Sequence, residues 1–175
     1  MLDVVGENDK VVRKAARKEV RENVLLHRTS RVVVFNRLGE LFVQKRSKNK
    51  KTFASHWDIG IAETVKSGED YEKAALRGLN EEAGINQKNI SFLFKIRYKS
   101  SKTNEQCSVY ELNYDGNFIL QKEELEKIDF LSLAEIKNFI KKEKFHPVGK
   151  IVFEKYLEYN SLKKCYTTNQ KKSWY

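Results

Sequence analysis

The sequence predicts an α/β protein, a sheet covered by helices, and three observations predict it. Short apolar runs of strand type recur between residues 2 and 114. A helical pattern is inserted among them near residues 70–84, and two more helical stretches follow the last strand, an alternation that belongs to mixed α/β architecture. The chain is 40% hydrophobic with one proline over 175 residues, enough for one ordered core and one domain.

Leu2–Val5 reads as a short strand, and Gly6-Glu7-Asn8-Asp9 as the turn to a second at Val11–Ala15. The charged stretch RKEVRENVLL, Arg17 to Leu26, reads as a short helix or an irregular segment. RVVVFN (Arg31–Asn36) and ELFVQK (Glu40–Lys45) flank Arg37-Leu38-Gly39, a turn with the glycine a hairpin requires. A basic loop, RSKNKK, follows from Arg46 to Lys51.

Trp57 then opens an apolar run that turns at Ser67-Gly68 and becomes a helix near Asp70. Ala74, Ala75, Leu76 and Leu79 supply its apolar face, and Gly84 suits the position just past its end. Two strands, Ile90–Tyr98 and Cys107–Tyr114, are joined by a polar loop. Ser132 and Glu135 form a capping-box pattern for a helix over Leu133–Lys142. Pro147 suits the first turn of a last helix, Val148–Tyr159. The expected domain spans residues 1–162, and residues 163–175 form a basic tail expected to fray.

Composition narrows the function classes. No run approaches the length of a membrane span, and MLDVVGENDK lacks the pattern of a signal peptide. Cys107 and Cys165 have neither metal nor disulfide spacing, so a reducing cytoplasmic setting is expected. No zinc spacing, Walker loop or Rossmann glycine pattern occurs.

The formal net charge of +10 is uneven: residues 57–85 carry seven acidic against three basic residues, while residues 37–51 carry six basic against one acidic. An acidic pocket in a basic protein suits a metal that bridges to an anionic substrate. The basic loop beside it makes Lys45, Arg46 and Lys50 the candidates for gripping a diphosphate, with a plain solvated loop as the alternative.

The acidic stretch carries the chemistry. A strand, a tight loop and a helix end on the adjacent carboxylates Glu81 and Glu82. Arg77 lies four residues before Glu81 and can reach it to orient that carboxylate. Hard divalent cations prefer clustered carboxylate oxygens and bind diphosphates at the same time.

WDIGIAETVKSGEDYEKAALRGLNEEAGI resembles the Nudix box, GX5EX7REUXEEXGU. Glu69, Arg77, Leu79, Glu81, Glu82, Gly84 and Ile85 match it, whereas Glu63 stands for its first glycine and Gly78 for the glutamate after its arginine. The resemblance implies an α/β/α sandwich with a mixed sheet. It also implies a Mg²⁺- or Mn²⁺-dependent hydrolase of a nucleoside diphosphate linked to another moiety, so that a small-molecule diphosphate is the expected partner and a homodimer is compatible with it.

In that reading Glu81, Glu82, Glu63 and Glu69 are the metal candidates. Glu82, Glu81, Arg77 and Glu124 are the catalytic ones, with Glu123 and Glu124 placed where the family often has a further ligand or base. Gly78 is the weak point, because positions 78, 81 and 82 share one helix face and glycine there removes a carboxylate at a cost of about 1 kcal/mol in helix propensity. Either the backbone must approach something closely at Gly78, or the site has lost a ligand, for which Glu63 would partly compensate because its position lies beside the metals in the family fold. The rival reading is therefore a weakened Nudix domain kept to bind a nucleotide, RNA or a protein. Residues 2–160 are also similar to the isopentenyl-diphosphate isomerase branch, but Ala62 and Thr64 stand where that chemistry needs a cysteine and a histidine.

Overall fold

The computed structural model describes residues 1–119 and 125–172, with side chains through residue 163. Nine strands and four helices run in the order β1 (Leu2–Val5), β2 (Val11–Ala15), α1 (Arg17–Glu22), β3 (His27–Phe35), β4 (Leu41–Arg46), β5 (Trp57–Ile59), β6 (Ile61–Thr64), α2 (Tyr71–Ala83), β7 (Ser91–Lys99), β8 (Asn104–Asn113), β9 (Leu125–Leu131), α3 (Leu133–Lys142) and α4 (Pro147–Lys172) among the described residues.

β3 is the axis of the sheet. It pairs in parallel with β8 from His27↔Glu105 to Phe35↔Asn113, and antiparallel with β6 from Thr29↔Thr64 to Val32↔Ile61. The expected β3–β4 hairpin touches only at Phe35↔Leu41. Beyond that pair the strands diverge, and β4 takes β5 on one side and β9 on the other. The turn is as read; the splaying comes from partners distant in sequence, which local pattern cannot register.

Successive residues of β3 face opposite layers, the signature of a sheet buried on both sides. Val32 and Val34 join Phe42, Ile61, Ala75 and Leu79 beneath α2. Val33 and Phe35 join Val43, Ile59, Ile136 and Val152 beneath α3 and α4. The result is an α/β/α sandwich with a mixed sheet. A third, smaller cluster of Leu2, Val4, Ala15 and Val20 fixes the β1–β2 hairpin to α1.

The helix ends follow their residues. Asp70 caps α2 by accepting from Lys73 N, and Gly84 ends it in the left-handed conformation at φ 67°. Ser132 and Glu135 make the complete capping box of α3. The last helix continues well past Tyr159, to Lys172. No helix among the described residues is long and apolar enough to cross a membrane.

Candidate active site

One cavity of about 550 Å³ opens where β3, β6, the C-terminal end of α2, α1 and the loop after β4 meet. Glu63, Glu81 and Glu82 line one side. Arg46 and Lys50 line the cavity as well, as do Arg17 and Arg21 of α1. His27, Glu105 and His146 also reach it.

The carboxylate side is built around Arg77, whose guanidinium collects three acids. It donates a pair of hydrogen bonds of 2.9 Å to Glu69 and one of 3.1 Å to Glu81, and forms an ion pair of 3.1 Å with Glu63. A further bond, of 2.9 Å, goes to the carbonyl of Thr64, so the arginine ties α2 to β6. Glu69 and Arg77 are mostly buried, and Glu69's carboxyl is held below its usual range chiefly by the Arg77 hydrogen bonds.

Gly78 is explained by what lies beside it. A Cβ at this position would fall 2.8 Å from the Cβ of Glu63 and 3.7 Å from a methyl of Ile61. The missing glutamate of α2 and the extra glutamate of β6 are therefore neighbours. Glu63 fills the space a side chain at 78 would need, and Glu63 itself lines the cavity from the strand. Burial, and then the charge of Glu63, push Glu82 up to about 7, against the opposing charges of Lys50 and Arg46. Carboxylate oxygens are the donors that hard divalent cations prefer. No group of three or more His, Cys, Asp or Glu side chains among the described residues converges on a single point, so the fit to a metal rests on the Glu63–Glu82 pair, with substrate and water left to supply the other oxygens.

The floor is a buried ion pair. Arg31 Nη1 and Nη2 donate to the two oxygens of Asp58 at 2.6 and 3.1 Å, and both side chains are nearly inaccessible. Burial alone would raise Asp58, but the Arg31 charge outweighs it and holds the carboxyl low. His146 is placed beside this pair because the chain from Lys144 to His146 bonds back to Trp57. Its ring packs on Phe53 at 4.4 Å, and burial lowers its pKa to about 4. His146 is therefore a neutral imidazole at neutral pH.

Of the residues expected from sequence, Glu63, Glu81, Glu82, Arg46 and Lys50 meet in the cavity. Arg77 and Glu69 stand behind it as the frame that orients Glu63 and Glu81. Lys45 lies outside the cavity: its Nζ sits 3.7 Å from Glu126, because neighbours on a strand point to opposite faces and Arg46 takes the inward one. Glu123 and Glu124 lie outside the described residues, as do Trp174 and Tyr175. Arg17 and Arg21 were not expected; their only signal was the four-residue spacing in RKEVR.

A mixed sheet between helices, with a strand–loop–helix that delivers carboxylates and an arginine to one cavity, defines a Nudix-type phosphate-chemistry scaffold. The NUDIX domain profile matches residues 25–155, and the chain belongs to the Nudix family, whose members generally cleave pyrophosphate linkages with divalent metals such as Mg²⁺ or Mn²⁺. An uncharacterised Nudix hydrolase of Streptomyces coelicolor is 34% identical over 151 residues, 85% of this chain and 83% of that protein. An isopentenyl-diphosphate Delta-isomerase of Dictyostelium discoideum is 33% identical over 141 residues, 69% of this chain and 58% of that one. Among solved structures, DR0079 of Deinococcus radiodurans is 26% identical with a TM-score of 0.73, covering 86% of this chain and 96% of that chain.

Proposed function

We propose that the protein is a divalent-metal-dependent hydrolase that cleaves a diphosphate linkage in a nucleoside diphosphate joined to another moiety. The observation that carries this reading is the contact between Gly78 and Glu63. It adds a strand carboxylate to the cavity beside Glu81 and Glu82, where position 78 of the helix offers none.

Glu82 and Glu63 would hold Mg²⁺ or Mn²⁺, with Glu81 at the edge of the pair. When bound, the ion supplies charge neutralisation for the diphosphate and lowers the pKa of a water at the linkage. The remaining roles fall to the chain itself. Arg77 spends its donors on Glu63, Glu69 and Glu81 and so fixes the direction of the first and last. Arg46 and Lys50, in the same cavity, would grip phosphate oxygens. Glu82 is the carboxylate in the cavity suited to take the proton of an attacking water, a role for which Glu124 was the other candidate. The Arg31–Asp58 pair keeps the floor rigid.

Isomerase chemistry has weaker support, because Ala62 and Thr64 line the cavity where proton-transfer groups would be needed. The binding-module alternative takes Gly78 as a lost ligand, and the Glu63 contact answers that position in another way.

The test is release of phosphate or nucleoside monophosphate from dNTPs, ADP-ribose, NADH, CDP-alcohols and capped RNA, each with Mg²⁺ and with Mn²⁺. Turnover of at least one member, abolished in Glu82→Gln, is expected. Silence across the panel with both metals, or turnover that Glu82→Gln leaves intact, would overturn the proposal.

A further inference from the structure

The family profile begins at residue 25, yet Arg17 and Arg21 from the preceding segment line the same cavity as Glu63 and Glu82. They are brought there by packing. Val20, the buried residue of α1, joins Leu2, Val4 and Ala15, and this pins the short helix against the β1–β2 hairpin. Arg17 and Arg21 lie one turn apart on the same side of α1. Arg46 reaches the cavity from the end of β4.

Like charges at this helical spacing destabilise a helix. Glu19 and Glu22 are nevertheless engaged elsewhere, with Arg13 and Lys18. Among the described residues no carboxylate pairs with Arg17, Arg21 or Arg46. Arg17 Nη2 donates to Thr64 Oγ1 at 3.4 Å, beside Glu63. Arg46 donates from Nε and Nη2 to the carbonyls of Phe53 and Thr52, which leaves Nη1 unspent. Partial burial, then the charges of Arg17 and Arg46, pull Arg21 below its ordinary pKa, the mark of guanidiniums crowded without a counterion. Lys50 lies between the zones, within the fields of Glu82 and Glu63 on one side and of Arg46 and Arg17 on the other.

We infer that Arg17, Arg21 and Arg46 form a subsite for a free terminal phosphate, one phosphate removed from the linkage held at Glu63 and Glu82. This rests on the diphosphate reading of the cavity and narrows it. A terminal phosphate offers up to two charges and three acceptor oxygens, enough for three guanidiniums, whereas a phosphate esterified on both sides offers one charge and two oxygens. The substrate class is therefore a nucleoside polyphosphate or another polyphosphate monoester. Linkages esterified at both ends, as in ADP-ribose, leave the arginines unmatched.

Isothermal titration of the full chain in EDTA, with sodium tripolyphosphate and separately with ADP-ribose, tests this without any bond being broken. Wild type should bind tripolyphosphate more tightly than ADP-ribose. Arg17→Gln and Arg21→Gln should each weaken tripolyphosphate by about tenfold or more, the scale of one charge-assisted hydrogen bond, and leave ADP-ribose unchanged. Lys18→Gln, whose side chain points to solvent beside Glu22, should change neither. Both arginines are exposed, so the fold should survive, and matched melting temperatures verify that it does. Unchanged tripolyphosphate affinity in both arginine variants, or an equal loss for ADP-ribose, would overturn the subsite. A silent hydrolysis panel alongside arginine-dependent binding would sink only the hydrolase proposal; an active panel with arginine-independent binding would sink only this one.

Discussion

Replacing Gly78 with alanine should destabilise this protein, although alanine is the better helix former. In an open helix interior the exchange gains about 1 kcal/mol. Here the new Cβ would lie 2.8 Å from Glu63 Cβ, an atom fixed to the backbone of β6, and 3.7 Å from Ile61. The helix and strand must move apart, and overpacking of that kind costs about 1–3 kcal/mol. The net is a loss of about 1 kcal/mol, or about 2–4 °C in Tm for a chain of this size.

Glu63→Gly removes the obstruction. On that background the same alanine should gain its ordinary 1 kcal/mol or so. The assay is urea unfolding of wild type, both single variants and the double variant, and the expected coupling is about 2 kcal/mol with a reversal of sign. Gly78→Ala stabilising both backgrounds equally would show that residues 63 and 78 do not touch. The account of the displaced carboxylate would then lose its basis.

Arg31→Met should cost about 3–5 kcal/mol, because it strands the buried Asp58 carboxylate without a partner; adding Asp58→Asn should recover part of the loss in thermal unfolding. His146 governs an acid limb of stability. Its ordinary pKa of 6.5 falls to about 4 in the fold, so between these values the unfolded chain binds a proton that the folded chain does not. Stability is therefore intact above the upper value and declines as pH falls toward the lower one, by on the order of 3 kcal/mol in all. His146→Phe should flatten that part of the pH–stability curve, and an unchanged slope would refute the assignment.

What the sequence revealed was what lies close along the chain. Asp70, Gly84 and the Ser132–Glu135 box mark helix ends through bonds that span at most a few residues, and the structure keeps each of them. Glu81 and Glu82 were readable for the same reason, as was the reach of Arg77 to Glu81. The Gly78–Glu63 contact joins two elements across a loop, and the sequence could offer only two readings of it. β3 and β4 read as a hairpin because their turn is local, while the pairing of β3 with β8 connects residues 27–35 to 105–113 and leaves no short-range trace. The place of Arg17 and Arg21 depends on how the β1–β2 hairpin seats α1, which depends in turn on Val20 and its distant partners. Lys45 and Arg46 differ only in strand parity, and parity relative to the cavity is set by the sheet.

The most direct test of the central claim is the Mg²⁺-dependent hydrolysis rate of the reciprocal exchange, measured on whichever substrate the panel identifies. Glu63→Gly alone should lower the rate by about a hundredfold, equivalent to about 3 kcal/mol of transition-state stabilisation. Glu63→Gly combined with Gly78→Glu, which returns the carboxylate to the helix, should recover most of it. A Glu63→Gly variant that turns over at the wild-type rate would contradict the claim that this strand residue supplies the missing carboxylate.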